Sequence, residues 1–143
     1  MSARVTLRAV LFDVDFTLAR PGPELGPEGY ARAAGLRIGL VSNSARDVHD
    51  FARHHGLDVD AGISSFHHGW TKPHASIFRA VLDLLAVEPA EAVMVGDTIA
   101  DDVEGALALG MRAILLDREG LHPDFEPRAE ALSELPPLLE LAG

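Results

Sequence analysis

Residues 9–15, Ala-Val-Leu-Phe-Asp-Val-Asp, decide the fold, because an apolar run passes directly into two aspartates that stand one position apart. A second apolar run, Ala92–Gly96, is followed by further acidic residues, Asp97, Asp101 and Asp102. A carboxylate at the end of a buried strand is costly to desolvate unless it has a partner. The two clusters are therefore predicted to meet around a divalent cation, which indicates Mg²⁺-dependent phosphoryl chemistry.

Short apolar runs alternate with segments of helical periodicity, which is typical of parallel strands joined by helices. The runs predicted as strands are Ala9–Asp13, Arg37–Ser42, Ala92–Gly96 and Arg112–Leu116. A fifth predicted strand, Ala61–Phe66, is interrupted by Gly62 and two serines. We predict a Rossmann-like three-layer α/β/α sandwich in one domain, residues 1–143, with a mainly parallel sheet of about five strands.

Three helices are predicted between the strands. The first, Ser44–His55, has Ser44 as its cap and Asp47 three residues later in a capping-box pattern. Pro73 is predicted to begin the second helix. Its apolar face comprises Ile77, Phe78, Val81, Leu82 and Leu85. The third, Asp101–Leu109, is predicted to turn three residues inward, Val103, Ala106 and Leu107.

Composition restricts the class of protein. The 143 residues are 48% hydrophobic and include no cysteine, so they suit one globular domain without disulfides or thiolate-bound zinc. The net charge of −10 opposes binding to a polyphosphate backbone, so nucleic acid is not expected as a general partner. No apolar run approaches the length of a membrane span and no secretion signal is evident, which predicts a cytoplasmic location.

Four short motifs follow one another along the chain. They are Asp-Val-Asp-Phe-Thr-Leu at 13–18, Val-Ser-Asn at 41–43, Lys72-Pro73, and Gly-Asp-Thr at 96–98 followed by Asp101-Asp102. Together they resemble the haloacid dehalogenase (HAD) superfamily in its phosphatase branch, over most of the chain. Phe16 departs from the resembling pattern, in which Gly is commonest at this position. Its side chain could wall the pocket or pack under a nearby loop, and packing is the favoured interpretation.

The resemblance implies a role for each polar residue of the motifs. Asp13 would be the nucleophile that forms an aspartyl-phosphate, and Asp15 would be the general acid and base. Dehalogenases of the family lack this second acid, so the chain resembles a phosphatase. Ser42 and Lys72 would bind the transferring phosphoryl group. Two roles stay open for Asn43, a contact with phosphate and a cap at the start of a helix.

The resemblance also implies a Mg²⁺ site. The cation would take the carboxylates of Asp13 and Asp97 and the backbone carbonyl of Asp15, since it prefers hard oxygen ligands. Asp102 would hold a metal-bound water or orient Lys72. Asp101 is interpreted as a solvated acid in the first turn of a helix, where the helix dipole favours it.

Little sequence is present where relatives insert a cap domain. About two dozen residues separate Leu18 from Ser42, and one helix and one strand occupy residues 43–71. We therefore expect no cap domain, with the Pro- and Gly-rich residues 19–29 in its place. An uncapped site acts on a large phosphorylated substrate or is completed by a second subunit, so a homo-oligomer is a further expectation. Three residues ahead of Lys72 could rim the site, His67, His68 and Trp70.

Two other functions stay open at this point. A receiver-type phospho-acceptor domain has a similar size, paired acids after its first strand and a lysine, but it lacks a late Gly-Asp-Thr cluster. A catalytically quiet interaction domain on the same fold is the second alternative. Repeated turnover of an aryl phosphate separates an enzyme from both, because a receiver releases at most one phosphate per chain.

Overall fold

The structure is a computed structural model, and it describes residues 7–13, 35–43, 47–54, 59–117, 119–130 and 134. Its centre is a single sheet of six parallel strands in the order β3-β2-β1-β4-β5-β6. The strands are β1 Ala9–Asp13, β2 Arg37–Ser42, β3 Ala61–Ser64, β4 Ala92–Gly96, β5 Arg112–Leu116 and β6 Arg128–Ala129. The predicted Rossmann-like sandwich is confirmed, with six strands in place of about five.

The helical segments of the described residues connect these strands. The α-helices are α1 Val48–His54, α2 Ser65–His68, α3 Ala75–Leu85 and α4 Glu104–Ala108. A 3₁₀ turn, Pro89–Glu91, precedes β4, and a π-helical turn, Ile99–Val103, lies between β4 and α4. None of the helices that the structure describes is long and apolar enough to cross a membrane.

The sheet is covered by apolar side chains on both faces, because alternate residues of a strand point to opposite sides. On one face Val10 and Phe12 of β1 pack with Val48 and Ala52 of α1. On the other face Leu11 packs in a second cluster that includes the inward residues of α3. All five residues predicted for that inward face are buried, Ile77, Phe78, Val81, Leu82 and Leu85.

The central position of β1 fixes where a ligand can bind. β1 pairs with β2 on one side and β4 on the other, so the strand order reverses between β1 and β4. In open parallel sheets, ligands bind at the carboxyl ends of the strands beside such a reversal. Asp13 ends β1, and Asp97 follows β4 at this same edge.

Several predicted boundaries are wrong, and each has a local cause. The third strand ends at Ser64, not Phe66, because Ser64 caps α2 and its hydroxyl accepts a hydrogen bond from the backbone N–H of His67. Asp47 acts as the cap of α1, since its Oδ1 accepts from the N–H groups of His49 and Asp50 at 2.9 and 3.1 Å. Ser44 lies outside the described residues.

Two later helices also differ from the prediction. α3 begins at Ala75, not Pro73, because the ring of His74 caps it by accepting from the N–H of Ser76 at 3.1 Å. The predicted helix Asp101–Leu109 is a π-helical turn followed by α4. Val103 and Ala106 are buried as predicted, whereas Leu107 is 53% exposed, since the wider turn rotates α4 relative to an uninterrupted helix.

Candidate active site

The carboxyl edge of the sheet brings together a lysine and three aspartates from distant parts of the chain. Asp13, Lys72 and Asp102 are each more than nine-tenths buried. The ammonium Nζ of Lys72 donates to Oδ1 of Asp13 at 2.8 Å and to Oδ1 of Asp102 at 2.6 Å. Its third contact is the backbone carbonyl of Val41 at 3.2 Å. The lysine therefore neutralises part of a strongly negative, water-poor centre.

Asn43 holds Lys72 in position through the backbone. Its Oδ1 accepts from the N–H of Lys72 at 2.7 Å, and its Nδ2 donates to the carbonyl of Lys72 at 3.1 Å. This paired contact is neither of the two roles predicted for Asn43, and it ties the end of β2 to the segment that carries the lysine. A contact between Asn43 and phosphate stays a prediction.

Asp102 is oriented by both of its carboxylate oxygens. While Oδ1 accepts from Lys72, Oδ2 accepts from the backbone N–H of Thr98 at 3.2 Å and from its hydroxyl at 2.9 Å. The π-helical turn makes this possible, because the N–H of Val103 bonds the carbonyl of Thr98 five residues back and widens the turn. Thr98 is thus a positioning residue whose role the sequence did not reveal, although the Gly-Asp-Thr motif contains it.

Gly96 leaves the space that Asp102 occupies. A Cβ atom at this position would collide with the side chain of Asp102, at its Cβ, Cγ and Oδ2 atoms. The glycine at the end of β4 is therefore required by the close approach of the carboxylate. Asp101, the preceding acid, is only half-buried.

The three aspartates suit a small divalent cation. Asp13, Asp97 and Asp102 each offer one oxygen, and these atoms all lie within 4.8 Å of one another. Opposite ligands of Mg²⁺ are separated by about 4 Å, given Mg–O distances of about 2.1 Å, and the ion takes only hard oxygen donors. The donor set and its spacing fit Mg²⁺.

The pKa values of three site residues are shifted, first by burial and then by the neighbouring charges. Burial raises the pKa of Asp13 to about 6, aided by the charge of Asp102, although Lys72 opposes the rise. Burial and the neighbouring Asp102 also raise the pKa of Asp97. For Lys72, burial favours the neutral amine, but Asp102 and Asp13 outweigh it and raise the pKa, so the ammonium is retained. A further cation would relieve the repulsion among the carboxylates.

The remaining predicted site residues are either buried near the lysine and aspartates or lie outside the described part of the chain. Ser42 is fully buried at the end of β2, one residue beyond Val41, which pairs with Asp13. Its contact with a phosphoryl group stays a prediction. Asp15, Phe16 and the loop 19–29 lie outside the described residues, so their predicted roles rest on the sequence.

The three residues expected to rim the site lie on α2 and just beyond it. His67 Nδ1 is 2.9 Å from the hydroxyl of Ser64, and His68 Nε2 is 2.9 Å from that of Ser76. Trp70 is 58% exposed. All three precede Lys72 on the segment that enters the site.

Comparison with known proteins identifies the family. Residues 69–132 match the HAD-hydrolase-like family. The chain is 37% identical to "Phosphatase MT3486" of Mycobacterium tuberculosis over 97% of this chain and 62% of that protein. It is also 37% identical to the phosphoserine phosphatase of Thermus thermophilus, over 69% of this chain and 40% of that protein. The chain thus spans about half the length of these curated relatives.

The fold is found in solved structures of the same family. A HAD phosphatase from Thermococcus onnurineus superposes with a TM-score of 0.78 at 22% identity, covering 93% of this chain and 98% of that one. At this identity the likeness concerns the fold, and the sequence relatives carry the assignment. With the motifs, the sheet order and these relatives in agreement, the chain belongs to the haloacid dehalogenase superfamily.

Proposed function

We propose that this chain is a Mg²⁺-dependent phosphomonoester hydrolase that acts through an aspartyl-phosphate on Asp13. The observation that carries the proposal is the ammonium of Lys72, which bridges Asp13 and Asp102 at 2.8 and 2.6 Å where three carboxylates converge. Relatives named as phosphatases support the reaction class.

The first half of the reaction transfers the phosphoryl group to the chain. A carboxylate oxygen of Asp13 attacks phosphorus, and the bond between phosphorus and the ester oxygen breaks. The departing alkoxide takes a proton from the carboxyl group of Asp15, a step assigned from the sequence. Lys72 favours the ionised form of Asp13 and offers its charge to the equatorial phosphoryl oxygens.

The second half of the reaction regenerates Asp13. The carboxylate of Asp15 removes a proton from water, whose oxygen attacks phosphorus and breaks the bond to Asp13. Inorganic phosphate leaves, and Asp15 is again protonated. Ser42 would donate a hydrogen bond to the phosphoryl group, while Asn43 keeps Lys72 in place.

Mg²⁺ would be held by the carboxylates of Asp13 and Asp97 and by the backbone carbonyl of Asp15, with Asp102 acting through water. When bound, it supplies positive charge that offsets repulsion between the phosphate oxygens and the aspartates. The three described carboxylates support this role, because each offers one oxygen and these atoms lie within 4.8 Å of one another.

The wider organisation belongs to this proposal as well. We place the reaction in a single uncapped domain in the cytoplasm, acting on a phosphorylated substrate and assembled as a homo-oligomer. These expectations come from the composition and from the short sequence between Leu18 and Ser42.

The test is turnover of an aryl phosphate in the presence of Mg²⁺. The wild-type chain should release many phosphates per molecule, and Asp13→Asn should lower the rate by several orders of magnitude while the chain stays folded. Asp101→Asn is the matched control, because it removes one charge beside the site from a half-buried residue without a catalytic assignment. Release of one phosphate or none per wild-type chain would instead support a receiver-like or quiet domain.

A further inference from the structure

The segment that delivers Lys72 to the site carries an exposed aromatic surface. Phe66 is 70% exposed and Trp70 is 58% exposed, and both lie within eight residues of the lysine. Large apolar rings are costly to leave in water, so two exposed rings on one short segment indicate a surface with a binding role. The chemistry at the active site does not use either ring.

The ring of His74 covers one face of the Trp70 ring. The two rings are stacked, with centroids 4.2 Å apart and planes 18° apart. The ring of His74 is fixed in turn, because its Nδ1 accepts from the N–H of Ser76 at 3.1 Å and lies 2.7 Å from the Ser76 hydroxyl. Since His74 covers one face of the indole, the exposure of Trp70 must come mainly from the opposite face and the edges.

The aromatic segment begins at the same edge of the sheet as the nucleophile. Asp13 pairs with Val41, Val41 pairs with Ile63, and α2 begins two residues after Ile63. Two strand spacings, about 10 Å, therefore separate the end of β1 from the start of this segment. The segment returns to the centre at Lys72, where Asn43 anchors it.

We propose that Trp70, supported by His74, stacks on a planar ring in the leaving group of the substrate. The inference rests on the proposed phosphatase function and adds a substrate class to it, namely monophosphate esters in which a linker separates the ring from the ester oxygen. Nucleoside monophosphates have this form, since the ribose places the base away from phosphorus. A simple aryl phosphate does not, because its ring is attached directly to the ester oxygen.

Charge restricts the class further. The net charge of −10 repels chains with many phosphates, whereas a monophosphate places its single phosphoryl group on Lys72 and the cation. Stacking of a base on an aromatic side chain requires no further charge, because every base presents a π-face. The surface thus suits one nucleotide and not a strand of them.

Fluorescence gives a direct readout, because Trp70 is the single tryptophan of the chain. Adenosine 5′-monophosphate and ribose 5-phosphate are titrated into the Asp13→Asn chain with Mg²⁺, so that no turnover intervenes. We expect the nucleotide to quench the emission in a saturable manner and the ring-free ester to leave it nearly unchanged. N-acetyltryptophanamide, titrated in parallel, corrects for collisional quenching. Equal responses to the two esters, or no response to either, would overturn the inference.

Kinetics of the chain with an intact Asp13 give a second, independent readout. We expect Trp70→Ala to lower the ratio of kcat/KM for adenosine 5′-monophosphate to that for ribose 5-phosphate about tenfold, which equals about 1.4 kcal/mol. Trp70→Phe should retain most of the ratio because a ring remains. Leu84→Ala is the matched control, since Leu84 is 63% exposed and lies at the end of α3, and it should leave both values unchanged.

The outcomes separate this inference from the proposed function. If both esters are hydrolysed and Trp70→Ala does not change the ratio of their kcat/KM values, the aromatic recognition is refuted and the phosphatase function stands. Saturable quenching in a chain that hydrolyses neither of these esters nor an aryl phosphate would refute the phosphatase and support the nucleotide-binding surface.

Discussion

At the scale of single residues, the site depends on one ammonium group shared by two buried carboxylates. Lys72 contacts Asp13 and Asp102, and all three side chains are almost wholly removed from water. Each carboxylate gains an opposite charge that offsets part of its desolvation. The same lysine thereby favours the ionised form of Asp13 and places a positive charge beside it.

Replacing Lys72 with methionine should destabilise the chain as well as inactivate it. Methionine keeps much of the volume but leaves Asp13 and Asp102 buried without their cation, which costs about 3–5 kcal/mol. Denaturant unfolding measures this loss in the free energy of unfolding. Arg79→Met is the control, because Arg79 is exposed on α3 and should change stability by no more than about 0.5 kcal/mol. Equal stabilities of the two variants would contradict the ion-pair account.

The sequence indicated which residues meet, but not every contact that they make. The family resemblance implied that Asp102 holds a metal-bound water or orients Lys72, and the structure shows the contact with Lys72. The two hydrogen bonds between the side chain of Asn43 and the backbone of Lys72 were not predicted, because they depend on the path of residues 69–74. No spacing rule in a single sequence encodes such a path.

At the scale of elements, the turn from β4 to α4 sets the position of Asp102. The π-helical turn Ile99–Val103 brings the carboxylate back over Gly96, and Thr98 fixes it with two donors. The absence of a side chain at Gly96 is what allows this return.

Gly96→Ala should therefore impair the site. The added methyl group would displace Asp102 from Lys72 and cost about 1–3 kcal/mol of stability, with a marked fall in kcat. Gly39→Ala is a control for packing on β2, because its Cβ would meet side-chain atoms of Leu85, Val81 and Leu11 at 3.0, 3.1 and 3.5 Å and no carboxylate of the site. Activity and unfolding are measured for both variants, and full activity in Gly96→Ala would show that the position of Asp102 is not essential.

Elements with strong patterns were predicted with their correct bounds, and elements set by tertiary contacts were not. The apolar runs that form β1, β2, β4 and β5 begin and end as predicted. The two-residue strand β6, Arg128–Ala129, was missed because it is too short for any periodicity and exists through pairing with Leu115–Leu116. The predicted helix starts were misplaced because a serine, an aspartate or a histidine can each serve as the cap, as Ser64, Asp47 and His74 do here.

At the scale of the whole molecule, Mg²⁺ and protons should compete for one site. The raised pKa of Asp13, about 6 against an ordinary 3.8, means that the cation-free folded chain binds this proton more tightly than the unfolded chain does. The stability that this proton provides is full below pH 3.8 and is lost as the pH rises through about 6.

We therefore expect Mg²⁺ to stabilise the chain more at pH 7 than at pH 5. The cation requires the ionised carboxylate, and at a hundredfold excess over its Kd it adds about 2.7 kcal/mol to the free energy of unfolding. Thermal melts with Mg²⁺ and with chelator at both pH values measure the effect. Asp13→Asn should weaken the Mg²⁺ effect and reduce its pH dependence, whereas a Tm indifferent to chelator at pH 7 would argue against the cation site.

Assembly is a separate property of the whole molecule. The short sequence between Leu18 and Ser42 predicts an open site, so a second subunit is expected to cover it near residues 19–29 or near His67–Trp70. Light scattering at micromolar concentration should then give a mass above that of one chain. A strict monomer that hydrolyses a small phosphate ester efficiently would contradict this expectation.

The central claim is that phosphate passes through a covalent bond to Asp13, and trapping that bond tests it most directly. Asp15→Asn removes the group assigned both to protonate the leaving group and to activate water. The leaving group of an aryl phosphate departs without that proton, so the intermediate should still form and should accumulate when this variant is mixed with an aryl phosphate and Mg²⁺ and quenched in acid. Peptide mass spectrometry is expected to find one phosphoryl group on Asp13, and none in a chain that also carries Asp13→Asn. The account would be contradicted if the wild-type chain releases phosphate but the trapped variant carries no phosphoryl group on Asp13. It would also be contradicted if the phosphoryl group is still found after Asp13→Asn.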